Sequence, residues 1–274
     1  MAKDSAALPQ SLEPVLDDVV EIAGYLWDRG WTERSAGNLS VDVTDIIKGG
    51  RDPRSVVTVF PGIAFPEVCQ RAFLVPAAGS RMRDMARHPD KHLGLIRIAP
   101  DCSGYRLLWG DDKRFVPSAE LPTYLRIHQT FLVRHQDSRA VLHAHPEALI
   151  AMTQMAEFKD EYRLNSVLWG MNPETTKVVP NGVGLVHYLR SGTGELAQAT
   201  VRALENHSVV LWEKHGCFAV GKTLGDAFDV IDTLEKSARI FFRVKSTGRT
   251  PEGLTNDQLQ ELRLAFLGGN DKRS

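Results

Sequence analysis

Two pairs of apolar runs constrain the fold of this chain more than any other feature. Leu93–Ile98 and Tyr105–Trp109 are joined through Asp101-Cys102-Ser103-Gly104, and Ser208–Trp212 and Cys217–Val220 through Glu213-Lys214-His215-Gly216. Connections this short join antiparallel neighbours, because a parallel crossover needs a dozen residues or more. Further β-like runs stand at Asn38–Val43, Ser55–Phe60, Ala72–Val75, Arg139–His145, Thr176–Val179 and Gly184–His187. Helical patterns fall between them. Residues 12–29 carry Leu12, Val15, Leu16, Val19, Ile22, Ala23 and Leu26 at helical spacing, with Gly30 as the stop. Ser118–Arg134 reads as a helix with Ser118 as N-cap and Pro122 in its first turn. Pro146–Ala156, Thr193–Asn206, Thr223–Val244 and a tail segment at Asp257–Phe266 complete the helices; Thr223 and Asp226 resemble a capping box. Hairpin strands interspersed with helices predict a mainly antiparallel sheet with helices packed on it. Without a repeat or a linker to divide the chain, residues 1–274 are expected to form one domain, with flexible ends at 1–10 and 268–274.

Composition excludes several classes of function. The 33 basic and 34 acidic residues leave a net charge of −1, which gives no electrostatic footprint for nucleic acid or an anionic membrane. No apolar run approaches the ~20 residues that a membrane-spanning helix needs, and Met1-Ala-Lys-Asp-Ser lacks an apolar signal core. A cytoplasmic protein is expected. Cys69, Cys102 and Cys217 are an odd, scattered set without a CxxC pair, so neither a disulfide framework nor a zinc ribbon is expected.

The chemistry concentrates in three places. In Val141-Leu142-His143-Ala144-His145 the alternation of a strand puts Val141, His143 and His145 on one face. Imidazoles ~7 Å apart along a strand can converge on one ion with bonds of ~2.0–2.1 Å, or they are two ordinary histidines of a polar strand. His215 sits in Lys214-His215-Gly216, where an apolar strand ends and the chain turns back. It either caps the hairpin or supplies a third ligand, and three histidines plus an open position is the arrangement of catalytic zinc. Glu120 lies in the first turn of the helix that follows Pro117-Ser118-Ala119. A carboxylate there either stabilises the helix end, worth ~0.3–1 kcal/mol, or serves as a general base. Other motifs fail. His145-Pro146-Glu147 lacks the P-C-x-x-C of zinc deaminases, Gly182-Val183-Gly184 lacks the third glycine of a dinucleotide loop, and no P-loop, G-x-S-x-G or H-E-x-x-H is present.

Taken in order, these segments resemble the class II sugar-phosphate aldolases. Gly30-Trp31-Thr32-Glu33-Arg34-Ser35-Ala36-Gly37-Asn38-Leu39-Ser40 is similar to the N-terminal signature of that family. The resemblance continues through Ser118-Ala119-Glu120-Leu121-Pro122, His143-Ala144-His145, Val167-Leu168-Trp169, Pro180-Asn181-Gly182-Val183-Gly184, His215-Gly216 and Asp232–Ala238, roughly residues 15–245. It is nearest to members that cleave L-rhamnulose 1-phosphate. The resemblance implies an α/β fold of three layers, α/β/α, around a mainly antiparallel sheet. It also implies a homotetramer with its sites at subunit interfaces, and one zinc ion per subunit held by His143, His145 and His215. Glu120 would be the acid/base and Glu174 a second carboxylate from the neighbouring subunit; Gly37, Asn38, Gly79 and Ser118 would hold phosphate. The implied reaction cleaves a ketose 1-phosphate through a metal-stabilised enediolate, giving dihydroxyacetone phosphate and L-lactaldehyde.

Departures from the family pattern cluster at the phosphate end. Ala78 and Ala119 stand where the family favours hydroxyls, and Ser80 where it favours lysine. Each lost charged hydrogen bond would weaken phosphate binding by ~1.5–3 kcal/mol. Two alternatives follow: zinc chemistry on an unphosphorylated ketose or 2-keto acid, by lyase, dehydratase or epimerase action, or a non-catalytic interaction module on the same fold.

Overall fold

Helix α1 (Glu13–Asp28) forms where the helical pattern stands in the sequence, with Pro14 inside its first turn and Val19, Ile22, Ala23 and Leu26 buried. Gly30, just beyond its end, takes φ +72°, a conformation that costs glycine little. The computed structural model describes residues 8–47, 58–59, 65–111, 114–134 and 136–268. They divide into two compact units, the first built mainly from the chain up to Ala144 and the second mainly from the chain after it; segments 192–197 and 220–227 belong to the first.

The first unit continues with β1 (Asn38–Asp42), β2 (Thr58–Val59), β3 (Ala72–Pro76), the one-turn helices α2 (Met82–Met85) and α3 (Pro89–His92), and β4 (Leu93–Ile98). Then come β5 (Gly104–Trp109), α4 (Leu121–Val133) and β6 (Ala140–Ala144). These strands lie in the order β2-β5-β4-β3-β1-β6, every neighbour antiparallel. The hairpin expected at 93–109 is β4–β5. Alternation aims Phe73 and Val75 of β3 and Ile96 and Ile98 of β4 into one core, which Leu121 and Leu125 of α4 complete.

The chain beyond Ala144, most of it in the second unit, holds α5 (Glu147–Thr153), α6 (Glu161–Met171), α7 (Pro173–Val178), β7 (Gly184–Val186), α8 (Gly194–Ala203), β8 (Val209–Trp212), β9 (Gly216–Gly221), α9 (Leu224–Lys245) and α10 (Asn256–Gly268). Strand β8 pairs parallel with β7 and antiparallel with β9. The Thr223–Asp226 capping box forms with both reciprocal bonds, at 2.9 and 3.1 Å. Among the described residues no helix is long and apolar enough to cross a membrane.

Four expectations need correction. Helix α4 begins three residues later than expected, so Ser118 is not its N-cap; the Ser118 hydroxyl instead accepts from the Glu120 N–H at 3.3 Å. Thr176–Val179 is not a strand. Its β-branched residues are carried into α7, because Asn172 caps the Glu174 N–H and Pro173 starts the helix with its φ already set. Helix α6 was not expected; it stands where the sequence shows only Val167-Leu168-Trp169 as a family segment. Finally, Cys69 is bonded to Cys102 with Cα atoms 5.1 Å apart, while Cys217 lies outside that disulfide and is buried. The pairing is invisible in spacing because it joins positions 33 apart, where the turn after Pro66–Val68 meets the β4–β5 hairpin. Of the strand expected at Ser55–Phe60, Thr58–Val59 forms β2 and the rest lies outside the described residues.

A polar seam runs through the first unit. Asn38, Ser40 and Asp42 share one face of β1. Ser40 Oγ lies 3.0 Å from His128 Nε2 on α4. Asp42 accepts from Arg71 Nε at 2.7 Å and from the Thr44 hydroxyl at 2.6 Å; these bonds outweigh burial and hold its carboxyl below the usual range. His128 is fully buried, and loss of solvation pushes it down to about 4, against the pull of Asp42. The folded protein therefore keeps His128 neutral where the unfolded chain would protonate it. Stability from this group is complete above its ordinary pKa of 6.5 and is lost as pH falls towards 4. Urea titrations should show the unfolding free energy falling by about 2–3 kcal/mol from this source between pH 7 and pH 4, and His128→Gln should flatten that slope; an unchanged slope in the variant would refute the assignment.

Candidate metal centre

His143 is the penultimate residue of β6 and is buried; the register places it opposite Asn38 of β1. His145 follows one residue after the strand ends, and Pro146 then opens α5. The direction of the chain here is held from α9, whose buried Glu235 accepts the Ala148 and Leu149 N–H groups at 3.1 and 3.0 Å. Those are orphan donors of the first helical turn, so the carboxylate caps α5 just past His145.

His215 occupies the turn between β8 and β9. Lys214 adopts φ +64°, an uncommon conformation for a side-chain-bearing residue, and the neighbours hold it there. Its N–H donates to the Thr153 hydroxyl at 2.8 Å, and that hydroxyl donates to the Ile150 carbonyl at 2.7 Å. On the other side, Glu213 accepts from the Tyr188 N–H at 3.1 Å and pairs with Lys159 Nζ at 3.2 Å. The Tyr188 bond and the two lysines beside it hold the Glu213 carboxyl down to about 2. The His215 ring packs 5.0 Å, centroid to centroid, from both Trp212 and His145.

His143, His145 and His215 each offer a ring nitrogen, and these atoms all lie within 4.8 Å of one another. Nitrogens bound to one tetrahedral ion at ~2.0–2.1 Å would stand about 3.3–3.4 Å apart, within that limit. Three borderline-soft imidazole donors at this spacing fit a divalent metal ion.

The carboxylate side is built on β1 and α4. Glu120 precedes α4; its Oε2 accepts from Tyr124 Oη at 2.9 Å and from Asn38 Nδ2 at 3.2 Å. Its Oε1 lies 4.0 Å from His143 Nε2. Burial and the Glu120 charge push the Tyr124 phenol well above its ordinary range, so it remains a donor. Asn38 Nδ2 also donates to Ser118 Oγ at 2.5 Å. Gly37 has φ +78°, and a Cβ there would collide with the Thr32 methyl and come within 3.3 Å of the His143 carbonyl oxygen. Gly79, with φ +75° and open space where a side chain would stand, lies in the turn after β3. That turn meets the segment before Glu120 through bonds from Ala78 N–H to Val116 O and from Ser118 N–H to Pro76 O. Gly37, Asn38, Ser118, Glu120 and His143 are thus tied together. Glu174 is exposed in the first turn of α7, where Lys177 Nζ lies 3.2 Å from it.

Sequence reasoning missed the residues that aim the others. Tyr124 carried a legible signal, four residues beyond Glu120 on a helix. Glu235 stood in the family-like run Asp232–Ala238 but with no role attached; Thr153 and Lys159 carried no signal, since only folding brings them to the segments they hold. Replacing Thr153 with valine keeps the shape and removes the acceptor for Lys214; this should weaken divalent-metal affinity about 10–100-fold, as loss of groups that orient ligands does. Competition with a chelator would measure it, and wild-type affinity would show that the turn holds His215 without Thr153.

The family model of the class II aldolase and adducin N-terminal domain matches residues 17–242. Rhamnulose-1-phosphate aldolase of Bacteroides thetaiotaomicron is 38% identical over 259 residues, covering 93% of this chain and 95% of that protein. The protein of the same name from Enterobacter is 35% identical over 247 residues, 88% of each chain. The crystal structure of a sugar-phosphate aldolase from Thermotoga maritima superposes with a TM-score of 0.77 at 30% identity, over 88% of this chain and 99% of that one. Family match, sequence identity, α/β architecture and histidine cluster agree: the chain belongs to the class II aldolase family and is a lyase.

Proposed function

We propose that this chain is a zinc-dependent aldolase that reversibly cleaves L-rhamnulose 1-phosphate to dihydroxyacetone phosphate and L-lactaldehyde. The observation that carries the reading is the convergence of the three imidazoles, with a carboxylate oxygen 4.0 Å from one of them. Relatives at 35–38% identity supply the substrate. His143, His145 and His215 hold the ion, which when bound supplies Lewis acidity to the ketose carbonyl. Glu120 Oε1 is the proton carrier. In cleavage a base takes the C4 hydroxyl proton, C4 becomes the aldehyde carbon as the C3–C4 electron pair passes to C3 and its carbonyl, and protonated Glu120 gives C3 a proton that the one taken from O4 replaces; in synthesis Glu120 removes the proton from C3. The net transfer is from O4 to C3, and no Schiff-base lysine takes part. Asn38 and Ser118, with the backbone of Gly37 and Gly79, form the phosphate end. Glu174, exposed on its own subunit, is assigned to the site of a neighbour in a homotetramer, and the enzyme is assigned to the cytoplasm.

A second reading has a specific basis. The N–H groups of Ala78, Ser80 and Ser118 are bonded within the protein, and the Ser80 hydroxyl donates to the His92 carbonyl at 3.1 Å. Together with Ala78 and Ala119 this makes a lean phosphate end. It favours the same metal chemistry on an unphosphorylated ketose or 2-keto acid.

Zinc-loaded protein should release dihydroxyacetone phosphate from L-rhamnulose 1-phosphate, and a chelator should stop it. Absence of release from protein that holds one zinc per chain, with turnover of the unphosphorylated ketose, would establish the second reading in its place. His145→Ala should lose bound zinc and all turnover. Glu120→Gln should keep zinc and lose about 10²–10⁴ in kcat; near-normal turnover would assign the proton to another group.

A further inference from the structure

The two oxygens of Glu120 are not equivalent. Oε2 has two donors, the Tyr124 phenol at 2.9 Å and Asn38 Nδ2 at 3.2 Å, while Oε1 faces His143 Nε2 at 4.0 Å. The donor on Asn38 is divided, since the same Nδ2 reaches Ser118 Oγ at 2.5 Å. Tyr124 is 1% exposed, and it stands one helical turn beyond Glu120 on the rigid frame of α4. Its ring is buried, whereas Glu120 has three side-chain torsions and an exposed edge. An acid–base group acts only within hydrogen-bond reach of the proton it moves, and ~1 Å of misplacement costs heavily in rate.

We propose that Tyr124 is the positioning residue of this enzyme: it anchors Oε2 of Glu120 so that Oε1 alone is presented to the reacting carbon. The assignment rests on the reading of Glu120 as proton carrier. Asn38 guides the same oxygen, but its side chain is shared with the phosphate end. Tyr124 acts through Glu120, to which its hydroxyl donates. The polar seam suits Tyr124 to this role. Along α4, Glu120, Tyr124 and His128 recur at four-residue spacing, and Asn38 and Ser40 of β1 bond to the first and the last of them.

Tyr124→Phe keeps the buried ring and removes only the anchor. Zinc-loaded Tyr124→Phe should lose about tenfold in kcat, with KM within twofold of wild type, one zinc per chain and an unchanged melting temperature. In a crystal structure of the metal-free variant, Glu120 should leave Asn38 or occupy more than one rotamer. Adding Tyr124→Phe to Glu120→Gln should cost nothing further. Wild-type kcat in Tyr124→Phe beside an inactive Glu120→Gln would overturn the proposal and leave the acid–base reading standing. So would a single, unmoved Glu120 conformer, or equal losses in both backgrounds, which mark a structural role. Wild-type kcat in Glu120→Gln would remove the proton carrier itself and the anchor with it.

Discussion

The antiparallel register of β1 against β6 is the constraint on which the site depends. It sets Asn38 opposite His143 and Ser40 opposite Val141. Since side chains alternate along a strand, a slip by one residue would turn each of them to the other face. Asn38 would then leave Ser118 and Glu120, and His143 would leave the carboxylate 4.0 Å away. One pairing therefore decides whether His143, Glu120, Asn38 and Ser118 meet. The apolar residues of the same strands, Leu39, Val41, Leu142 and Ala144, are buried on the reverse side and resist such a slip.

Burying polar groups along that register carries a cost that the seam meets by pairing. Ser40, Asp42 and His128 are each at most 5% exposed, and each has a partner within hydrogen-bond distance. A carboxylate in that position is stabilised by a guanidinium and a hydroxyl, and a histidine by losing its charge. Such a network favours one arrangement over its neighbours, because a half-satisfied version would leave buried donors or acceptors unpaired. It also ties α4 to β1 through Ser40 and His128.

The histidine turn in the second unit is held differently. A left-handed Lys214 has no reason to persist by itself, at a cost of order 1–3 kcal/mol. Thr153 satisfies its N–H from α5, and Glu213 is locked by Tyr188 and Lys159. Glu235 holds the start of α5 in turn. His145 and His215 are thereby placed through backbone bonds of the segments next to them, leaving the imidazole rings available as ligands.

Much of this was legible in the residues. Period two along Val141–His145 singled out the two histidines, although β6 ends at Ala144 and His145 stands just beyond it; the two hairpins implied antiparallel pairing, and the capping box at Thr223 marked the start of α9. The failures have physical causes. Thr176–Val179 has strand-like residues, but Asn172 and Pro173 begin a helix there, and a cap outranks weak β propensity. Cys69 and Cys102 pair across 33 residues, a distance over which local pattern carries no signal. By itself the sequence determined which side chains could ligate a metal, move a proton or grip phosphate, because residue type and local periodicity set those properties. Only the tertiary structure decided that Asn38 would reach Glu120, that Thr153 would hold Lys214 and that Glu235 would cap α5, because such bonds join atoms that approach each other only when helices pack and strands find their register.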